Sequence, residues 1–362
     1  MTRSMPTVAP EEMSGFDFDE IIDVRSPSEF VDDHVTGAIN LPVLDDSQRS
    51  RVGTVYKQVN AFEARRIGAA MVSANIADHL AAHFMDKPQD YSPLIYCWRG
   101  GQRSRSLATI LTAVGWKAHL IKGGYKEYRK FVSASLNSIL EKSTDFRVIA
   151  GLTGTGKTRL LQRLEAMGCQ VIDLEGLASH RGSVLGDDPE RGQSTQKRFE
   201  NLLLGKIKSL DPMKPIYLES ESSRIGRLQV PEKIWIQMKA APVIELSVPL
   251  KARANYLMQE YPHFTDNPDL LLEKIDAIKK LQSRETVQQW EDSINEGNFM
   301  AFVESILSKH YDPAYLRSRK KTYASPCAKL SMDEVLEEYL DQAAGEILDL
   351  EAGFTASATN TD

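Results

Sequence analysis

Apolar residues in the first 140 positions alternate between short runs and stripes at helical spacing. Residues 20–24 and 94–96 are short, largely apolar runs, which are typical of buried strands. After the second run, a helix is predicted over residues 107–114 and ends at Gly115. A third strand is predicted over residues 117–121. The alternation indicates an α/β domain. A stripe between the first two strands predicts a helix that packs on a core through Ile67, Met71, Ala74, Ala77, Ala81 and Phe84.

The same alternation resumes after a polar helix that we expect over about residues 126–142. Apolar strands are predicted at 147–150, 170–174, 215–218 and 243–248, and stretches of helical length separate them. This order is typical of a mostly parallel sheet covered by helices. From residue 251 the chain is predicted to be helical. The last eleven residues are small and polar, and we expect them to be disordered.

Composition is that of a globular protein with more than one domain. The 362 residues are 42% hydrophobic and 26% charged, and they exceed what one core usually holds. The three cysteines are far apart and form no CxxC pair, which predicts reduced thiols and no structural metal site. The N-terminus lacks the apolar segment of a signal peptide, and no run reaches the ~20 apolar residues of a membrane span. We therefore expect a cytoplasmic protein without a membrane partner.

A candidate nucleophile directly follows the predicted strand 94–96. The glycines of this segment let backbone N–H groups curl around an anion, and two arginines with a following helix favour a thiolate. We predict Cys97 as the nucleophile, with Arg99 and Arg103 positioning the anion. The alternative is a buried structural cysteine, for which two glycines and two arginines are poor neighbours. The predicted loop comprises Cys97, Trp98, Arg99, Gly100, Gly101, Gln102 and Arg103.

A complete phosphate-binding pattern, GxxxxGK[ST], occupies residues 151–158. It follows the predicted strand 147–150 and precedes apolar residues at helical spacing, which is the context that the motif requires. Lys157 can neutralise phosphate charge, and the hydroxyl of Thr158 can hold Mg²⁺. A diphosphate on any carrier fits this geometry as well as a nucleotide does. The predicted diphosphate-binding residues are Gly151, Thr153, Gly154, Thr155, Gly156, Lys157 and Thr158.

Acidic residues end two predicted strands of this second unit, and one of them occupies the Walker B place after strand 215–218. Carboxylates at the ends of parallel strands are candidates for a phosphate-bound magnesium ion. A polar, basic segment follows in a predicted loop. The alternatives are solvated acids at strand ends and a helix-capping turn. The candidate magnesium or phosphate site comprises Thr158, Asp173, Glu175, Glu219, Glu221, His180 and Arg181.

A basic cluster near the C-terminal end of the chain is interleaved with tyrosines at positions 311, 315 and 323. Such an arrangement suits phosphate contacts and base stacking, although a solvated charged helix is the alternative. The net charge of −6 argues against a general nucleic-acid coat but leaves room for a local basic face. The candidate nucleic-acid contacts are Arg317, Arg319, Lys320 and Lys321.

Segments of the N-terminal half resemble the signatures of rhodanese domains. Residues 23–30 (DVRSPSEF), His34 and residues 37–42 (GAINLP) resemble the opening signature, and residues 122–125 (KGGY) resemble the closing one. The loop from Cys97 to Arg103 is one residue longer than the usual sulfur-transferring rhodanese loop. In length it resembles the loop of the phosphatases that share the fold. The larger loop implies a phosphate-sized anion beside the sulfur.

A rhodanese domain followed directly by a P-loop domain, with segments 96–101 and 173–183, resembles the tRNA 2-selenouridine synthase family over about residues 16–340. The resemblance implies a rhodanese-like domain (16–140), a P-loop NTPase-like parallel-sheet domain (141–250) and a helical C-terminal region (251–351) that completes it. A flexible N-terminus (1–15) and a disordered tail (352–362) would flank them. The family replaces sulfur by selenium in 2-thiouridine at the tRNA wobble position. Selenophosphate is the donor, and S-geranyl-2-thiouridine made from geranyl diphosphate is the intermediate.

The same resemblance implies roles for the two loops. Cys97 would take selenium as a selenenylsulfide or otherwise handle selenophosphate, while Arg99, Arg103 and the loop amides position its phosphate. Residues 151–158 would hold the diphosphate of the geranyl donor, with Mg²⁺ bridging to Thr158 and Glu219. No organic prosthetic group is implied. The implied partners are tRNA with wobble 2-thiouridine and a selenophosphate synthetase that hands over its product.

Three other functions compete with this interpretation. The first is a P-loop kinase or nucleotide hydrolase with a regulatory rhodanese module. The second is a plain sulfurtransferase, against which the lengthened loop and the complete phosphate-binding pattern argue. The third is a tRNA-binding scaffold without catalysis, which the intact Cys97, Lys157 and Thr158 disfavour.

Overall fold

The computed structural model describes residues 5–139, 144–180, 192–262 and 267–358. The chain folds into two compact units. Unit 1 comprises Met1–Ile139 and Thr195–Gly205, and unit 2 comprises Leu140–Ser194 and Lys206–Asp362. No helix in these described ranges is both long and apolar enough to cross a membrane.

Unit 1 is built on a five-stranded parallel sheet with the order β1-β5-β4-β2-β3. Buried apolar residues such as Ile22, Ile95 and Leu107 form its core. A 3-10 turn (Pro10–Gly15) and a π-helical turn (Leu80–Phe84) accompany the regular elements. These elements are β1 (Thr7–Val8), β2 (Glu20–Asp23), α1 (Pro27–Asp32), β3 (Ala38–Asn40), α2 (Asp46–Gln58), α3 (Ala61–His79), β4 (Pro93–Tyr96), α4 (Gln102–Val114), β5 (His119–Ile121) and α5 (Gly124–Ile139).

Two predictions for unit 1 are wrong in detail. Residues 7–15, expected to be flexible, form β1 and a 3-10 turn, because β1 finds hydrogen-bonding partners along the open edge of β5. The buried face of α3 lies one position away from the predicted stripe: Ala74, Ala77 and Ala81 are exposed. Gly68 on the buried face brings α3 close to Val52 of α2. Small residues occur on both faces of α3, so apolar spacing did not identify the packed face.

Unit 2 contains a second five-stranded parallel sheet, with the order β12-β11-β6-β8-β7, and a two-stranded hairpin. Its elements are β6 (Phe146–Gly151), α6 (Lys157–Ala166), β7 (Gln170–Ile172), α7 (Leu174–Ala178), α8 (Gln196–Lys208, largely in unit 1), β8 (Ile216–Glu219), β9 (Arg224–Ile225), β10 (Leu228–Gln229), α9 (Glu232–Ala240), β11 (Val243–Ser247), α10 (Leu250–Glu260), α11 (Pro268–Ile278), α12 (Arg284–Asn295), α13 (Phe299–Ile306), α14 (Asp312–Thr322), β12 (Ala328–Ser331) and α15 (Glu337–Ala358). A 3-10 turn (Lys279–Leu281) and a π-helical turn (Leu307–Tyr311) complete the set.

The C-terminal region departs from the prediction of continuous helix. Strand β12 interrupts it and pairs in parallel with β11 at the edge of the sheet. The strand has four residues, of which only Leu330 is buried, so its sequence carries no clear periodic signal. Helix α15 continues to Ala358 through part of the segment that was predicted to be disordered, since extending a formed helix costs little. Residues 359–362 lie outside the described part of the chain.

Candidate functional sites

Cys97 lies at the carboxyl end of β4, directly before the loop that leads into α4. The Gly101 N–H donates to its sulfur at 3.3 Å, and the Ser104 hydroxyl lies 3.2 Å from the same sulfur. Ser104 is fully buried in the first turn of α4. Our sequence reasoning did not select Ser104, although its place one residue after Arg103 was a usable signal. The loop thus surrounds the sulfur with polar hydrogens.

Arg103 closes this loop through an ion pair with Glu29. Its Nη1 donates to Glu29 Oε2 at 2.6 Å, and its Nη2 donates to Oε1 at 3.3 Å. Burial would raise the pKa of Glu29, but hydrogen bonds and charge from Arg103 outweigh it and hold that pKa below its usual value. Both terminal nitrogens of Arg103 thus hold a carboxylate of the opening signature, so the structure shows Arg103 paired within the protein at the edge of the loop.

Gly124 of the closing signature touches the backbone of the cysteine loop. A Cβ at this position would lie 2.3 Å from the carbonyl oxygen of Cys97 and 2.5 Å from the amide nitrogen of Gly100. Gly124 also has a φ of 64°, in the left-handed region that favours glycine. The next residue, Tyr125, donates its N–H to the Cys97 carbonyl at 2.9 Å. The closing signature thus fixes the backbone of the loop that carries the nucleophile.

Charged residues of the opening signature are buried structural groups near this loop. Asp23 and Arg25 are both fully buried, and Nη2 of Arg25 lies 2.6 Å from Oδ2 of Asp23. The guanidinium lies 4.0 Å from the centre of the Tyr125 ring, and the Tyr125 hydroxyl donates to Asp33 at 2.8 Å. Such a paired network holds its members in one arrangement. In unit 1 the cysteine loop therefore lies on buried residues whose opposite charges are paired, as in Arg25 and Asp23.

The other predicted loop residues lie at its rim. Arg99 and Gln102 are exposed, and Trp98 is 36% exposed beside the Tyr125 ring, with 5.4 Å between ring centres. Gly100 has a φ of 63°, which permits the turn from β4 into α4. Arg99 is thus placed to meet an anion that enters from solvent.

In unit 2 the phosphate-binding loop connects β6 to α6, as the motif requires. Gly154 and Gly156 have φ values of 82° and 77°, and Lys157 Nζ donates to the Gly151 carbonyl at 3.1 Å. The Thr155 side chain is buried and donates to the Leu152 carbonyl, so it stabilises the loop rather than facing a ligand. The glycines and Lys157 are arranged as expected for a phosphate cradle.

Two residues outside the motif hold this loop, and our sequence reasoning missed one of them. Buried Arg253 donates from Nη1 to the Thr153 carbonyl at 3.0 Å and binds Asp312 with both terminal nitrogens, at 2.9 and 2.7 Å. The Tyr315 hydroxyl accepts the Gly151 N–H at 2.9 Å, whereas we expected this tyrosine to stack on a base. Helix α14 therefore fixes the beginning and the middle of the phosphate-binding loop through its first turn.

The loop opens into a cavity of about 800 Å³. Carboxylates Asp173, Glu175 and Glu221 line one part of it, and His180, which is buried, lines it as well. Arg181 lies outside the described residues. Five tyrosines from α10 and from the segment around α14 line another part: Tyr256, Tyr261, Tyr311, Tyr315 and Tyr323. The cavity thus combines an anion cradle, acidic groups and aromatic surface.

The acidic residues form a cluster of like charge beside the loop. Glu219 is fully buried, its Oε1 accepts the Glu175 N–H at 2.8 Å, and its Oε2 accepts no hydrogen bond from any residue that the structure describes. Burial and the charges of Asp173 and Glu175 raise the pKa of Glu219 well above its usual value. Burial and Glu175 do the same for the pKa of Glu221. The cluster therefore binds protons, or another cation in their place, more readily than exposed carboxylates do.

The acidic cluster does not form a ready-made metal cage. Asp173 caps α7 by accepting the Gly176 N–H at 2.7 Å, so one of its carboxylate oxygens already has a hydrogen-bond donor. Within the described ranges, no three His, Cys, Asp or Glu side chains lie close enough together to hold one metal ion. A cation at this place would need phosphate or water oxygens as further ligands.

The basic cluster lies on α14, but its members differ. Arg317, Lys320 and Lys321 are exposed, which fits a contact with an extended anion. Arg319 is largely buried, and its Nε lies 3.2 Å from Glu245 of β11. The structure therefore does not place Arg319 with the other three as a surface contact. Tyr323 donates its hydroxyl to the Glu221 carbonyl at 2.7 Å, so it also has a structural role.

The fold and these sites define a protein with a rhodanese-like domain followed by a P-loop domain. A rhodanese-like domain model matches residues 7–131, and the model of the tRNA 2-selenouridine synthase AAA domain matches residues 144–268. The chain belongs to the tRNA 2-selenouridine synthase family, which confirms the predicted resemblance and fold class.

Individual relatives match over most of their length. A tRNA 2-selenouridine synthase from Bdellovibrio bacteriovorus is 30% identical over 365 residues, which cover 89% of this chain and 95% of the relative. One from Shewanella loihica is 35% identical, with 82% and 86% covered. Among solved structures, a rhodanese-related protein from Thermoplasma volcanium is 15% identical, with 35% of this chain and 92% of that chain covered and a TM-score of 0.22.

Proposed function

We propose that this protein is a transferase that modifies tRNA, replacing sulfur by selenium in 2-thiouridine at the wobble position. Selenophosphate supplies selenium, and S-geranyl-2-thiouridine made from geranyl diphosphate is the intermediate. The observation that carries this proposal is the presence of two different anion sites on one chain of this family. One surrounds a cysteine sulfur, and the other opens into a cavity with aromatic surface.

We assign the geranyl step to the cavity of unit 2. The loop with Lys157 would hold the diphosphate, and the tyrosine-lined part would receive the organic chain. During transfer the C1–O bond of geranyl diphosphate breaks and its electron pair leaves with diphosphate. The thione sulfur forms the new bond to C1, and the base loses its N3 proton. Positive charge that develops at the allylic carbon is favoured near ring faces and carboxylates.

We assign the selenium step to the cysteine loop of unit 1. Alkylation turns the sulfur into a better leaving group, so selenide can add at C2 of the base and geranyl thiol can depart. Cys97 handles selenophosphate, Arg99 meets its phosphate from the rim, and Arg103 fixes the loop through Glu29. A reduced thiol requires a reducing compartment, so the cytoplasm stays the predicted location.

A magnesium ion fits the acidic cluster only together with its substrate. Among the described residues, Oε2 of Glu219 has no hydrogen-bond donor, and this oxygen and the nearby carboxylates favour a cation there. Mg²⁺ commonly uses one or two protein carboxylates and completes its shell with phosphate and water oxygens. Thr158 and Glu219 would hold it, and the ion would neutralise charge on the departing diphosphate.

We further propose that α14 meets the tRNA through its exposed basic residues. Arg317, Lys320 and Lys321 would contact backbone phosphates, while the first turn of the same helix holds the phosphate-binding loop. Phosphate contacts of this kind weaken steeply with salt. A selenophosphate synthetase that passes on its product remains a predicted partner.

The experiment that tests this function is nucleoside mass spectrometry of tRNA containing 2-thiouridine. The purified protein is incubated with geranyl diphosphate and selenophosphate, and each donor is omitted in turn. We expect S-geranyl-2-thiouridine with geranyl diphosphate alone and 2-selenouridine with both donors. An unchanged thiouridine, together with hydrolysis of added ATP or GTP, would instead support the kinase or hydrolase alternative.

A further inference from the structure

We infer that Cys97 attacks the phosphorus atom of selenophosphate, forming a phosphocysteine and releasing selenide. This inference rests on the proposed function, because it takes selenophosphate as the donor. It replaces the selenenylsulfide that the family resemblance implies with a phosphoryl intermediate on the same sulfur.

The orientation of the donor follows from where the hydrogen-bond donors lie. The Cys97 residue is 3% exposed, and its sulfur lies at the base of a loop that closes over it through the Gly101 N–H. Helix α4 begins at Gln102, directly after Gly101, and the positive end of its dipole points toward the bottom of the loop. Phosphoryl oxygens gain from such donors, whereas selenium is large, soft and a weak acceptor. The phosphoryl end therefore enters the loop first and selenium faces outward.

This orientation places selenium opposite the attacking sulfur, which is the arrangement for in-line displacement. Gly124 holds the Cys97 carbonyl so closely that no Cβ fits between them, which keeps the nucleophile in place. The loop from Cys97 to Arg103 spans seven residues, enough to surround a phosphoryl group. Because Arg103 is paired with Glu29, the loop carries less net positive charge than its two arginines suggest.

Attack of the Cys97 sulfur on phosphorus and attack on selenium differ in which atom keeps the electron pair of the P–Se bond. Attack on phosphorus forms the S–P bond and breaks the P–Se bond, and the electron pair leaves with selenide. Phosphorus keeps its oxidation state, and no reductant is needed before selenide adds to the base. Attack on selenium would instead form the S–Se bond and expel phosphorus with the electron pair as phosphite. The selenium would then need two further electrons to become selenide.

Ser104 supplies what the second half of the cycle needs. Water attacks the phosphocysteine, the new O–P bond forms, and the P–S bond breaks with its electron pair returning to the sulfur. The Ser104 hydroxyl, 3.2 Å from this sulfur and fully buried, donates to the thiolate as it leaves. The Ser104 hydroxyl also lies 3.3 Å from the Gly101 carbonyl oxygen. Rotation about its C–O bond therefore moves its hydrogen between that carbonyl and the Cys97 sulfur. Ser104 is therefore a catalytic residue for release of phosphate.

The test begins with rapid denaturation of the full-length protein in detergent at alkaline pH after mixing with selenophosphate, because acid would hydrolyse the P–S bond. The Cys97 peptide is then analysed by high-resolution mass spectrometry, and the solution by phosphorus NMR. We expect a mass gain of one phosphoryl group on Cys97 and inorganic phosphate in solution at a rate above that of Cys97→Ala. Selenium's multi-isotope pattern on the peptide, or phosphite in solution, would overturn the inference.

Variants of two serines on α4 make the test independent of how briefly the adduct lives. Ser104→Ala should slow hydrolysis of the phosphocysteine by roughly 10- to 100-fold, as for loss of one hydrogen bond to a charged group, so the adduct accumulates. Ser104→Thr should restore hydrolysis, and Ser106→Ala should behave as wild type, because the Ser106 hydroxyl of the same helix donates to the Gln102 carbonyl instead. Absence of a phosphoryl adduct from both wild type and Ser104→Ala would refute a covalent phosphoryl step.

The same samples distinguish failure of this inference from failure of the proposed function. Selenation of S-geranyl tRNA is measured in parallel for wild type. Normal selenation accompanied by phosphite or a selenium adduct would refute the phosphocysteine intermediate and leave the proposed function standing. No selenation by wild type, with both donors present, would remove the synthase function itself.

Discussion

The two sites of this protein differ in how their charges are balanced. Around Cys97, Arg103 is paired with Glu29 and Arg25 with Asp23, and Gly124 packs against the loop backbone. Beside the phosphate-binding loop, Glu219, Glu221 and their acidic neighbours repel one another, and a large cavity stays open. The charged groups around the cysteine are paired within the protein, whereas the buried carboxyl groups of the other site favour binding a proton or another cation.

This difference teaches which property each reaction requires. A reaction at one sulfur atom benefits from a rigid loop whose geometry is set beforehand. A reaction between a diphosphate and a nucleoside requires room for both partners and charge that their binding compensates.

Loss of the nucleophile should have the largest effect and should separate the two sites. Cys97→Ala should abolish selenium incorporation while S-geranylation stays measurable, because only the first reaction uses the sulfur. Nucleoside mass spectrometry of tRNA measures both products, and Cys169→Ala serves as the control thiol variant. Retained selenation in Cys97→Ala would remove this residue from the mechanism.

Lys157→Ala should affect the other site. We expect the geranyl step to weaken by about 2–4 kcal/mol, the usual effect of removing one electrostatic donor from a developing charge. Single-turnover geranylation measures the loss, and Lys251→Ala provides an exposed lysine of the same unit as control. Normal geranylation in Lys157→Ala would disprove the role of the loop in binding the geranyl donor.

Gly124→Ala should test the rigidity of the cysteine loop. Both Gly124 and Gly37 have positive φ values, so alanine should cost each about 1–2 kcal/mol. Only at Gly124 would the new Cβ meet backbone atoms, which adds roughly 1–3 kcal/mol. Thermal unfolding of Gly124→Ala and Gly37→Ala gives the difference. Equal destabilisation would show that the close contact does not matter.

The apolar lining of the unit 2 cavity should favour diphosphates that carry a longer hydrocarbon chain. Leu257, which lies against Gly154, lines the same cavity, whereas Leu316 on α14 is exposed. Leu257→Ala should reduce the preference for geranyl over dimethylallyl diphosphate by roughly 10-fold, as expected for lost apolar contact. Titration calorimetry measures both ligands, with inorganic diphosphate as reference. An equal loss in Leu316→Ala would place the chain elsewhere.

The two sites should also respond to pH with opposite sign. Glu219 has a raised pKa in the folded protein, so it binds its proton more tightly there, and unit 2 gains stability as pH falls through that pKa. Glu29 has a lowered pKa, so unit 1 keeps its contribution at neutral pH and loses it in acid as Glu29 is protonated.

Hydrogen exchange read peptide by peptide can measure the two responses separately. Glu219→Gln should flatten the pH dependence of unit 2 and leave that of unit 1 unchanged. A rise in stability of unit 2 with increasing pH between about 5 and 8 would contradict the raised pKa.

Motifs whose function depends on local spacing were readable from the sequence. The phosphate-binding loop needs its glycines and Lys157 within eight consecutive residues, and Cys97 is placed by the short segment between β4 and α4. Most of the parallel strands were also found, because buried strands consist of continuous apolar residues, whereas the short strands β1, β3 and β12 were not. The helical spacing of α3 was recognised, but its packed face was not, since alanine and glycine occur on several sides.

Contacts between residues far apart in the chain were decided only by the tertiary structure. No local pattern pairs Arg253 with Asp312, or brings Tyr315 to Gly151 and Glu29 to Arg103. Strand β12 likewise exists because β11 offers it hydrogen-bonding partners, although its own four residues bury little. The sequence by itself determined the kind of chemistry, since that depends on which groups stand close along the chain. The tertiary structure decided which charges are balanced, since balance depends on neighbours that only folding brings together.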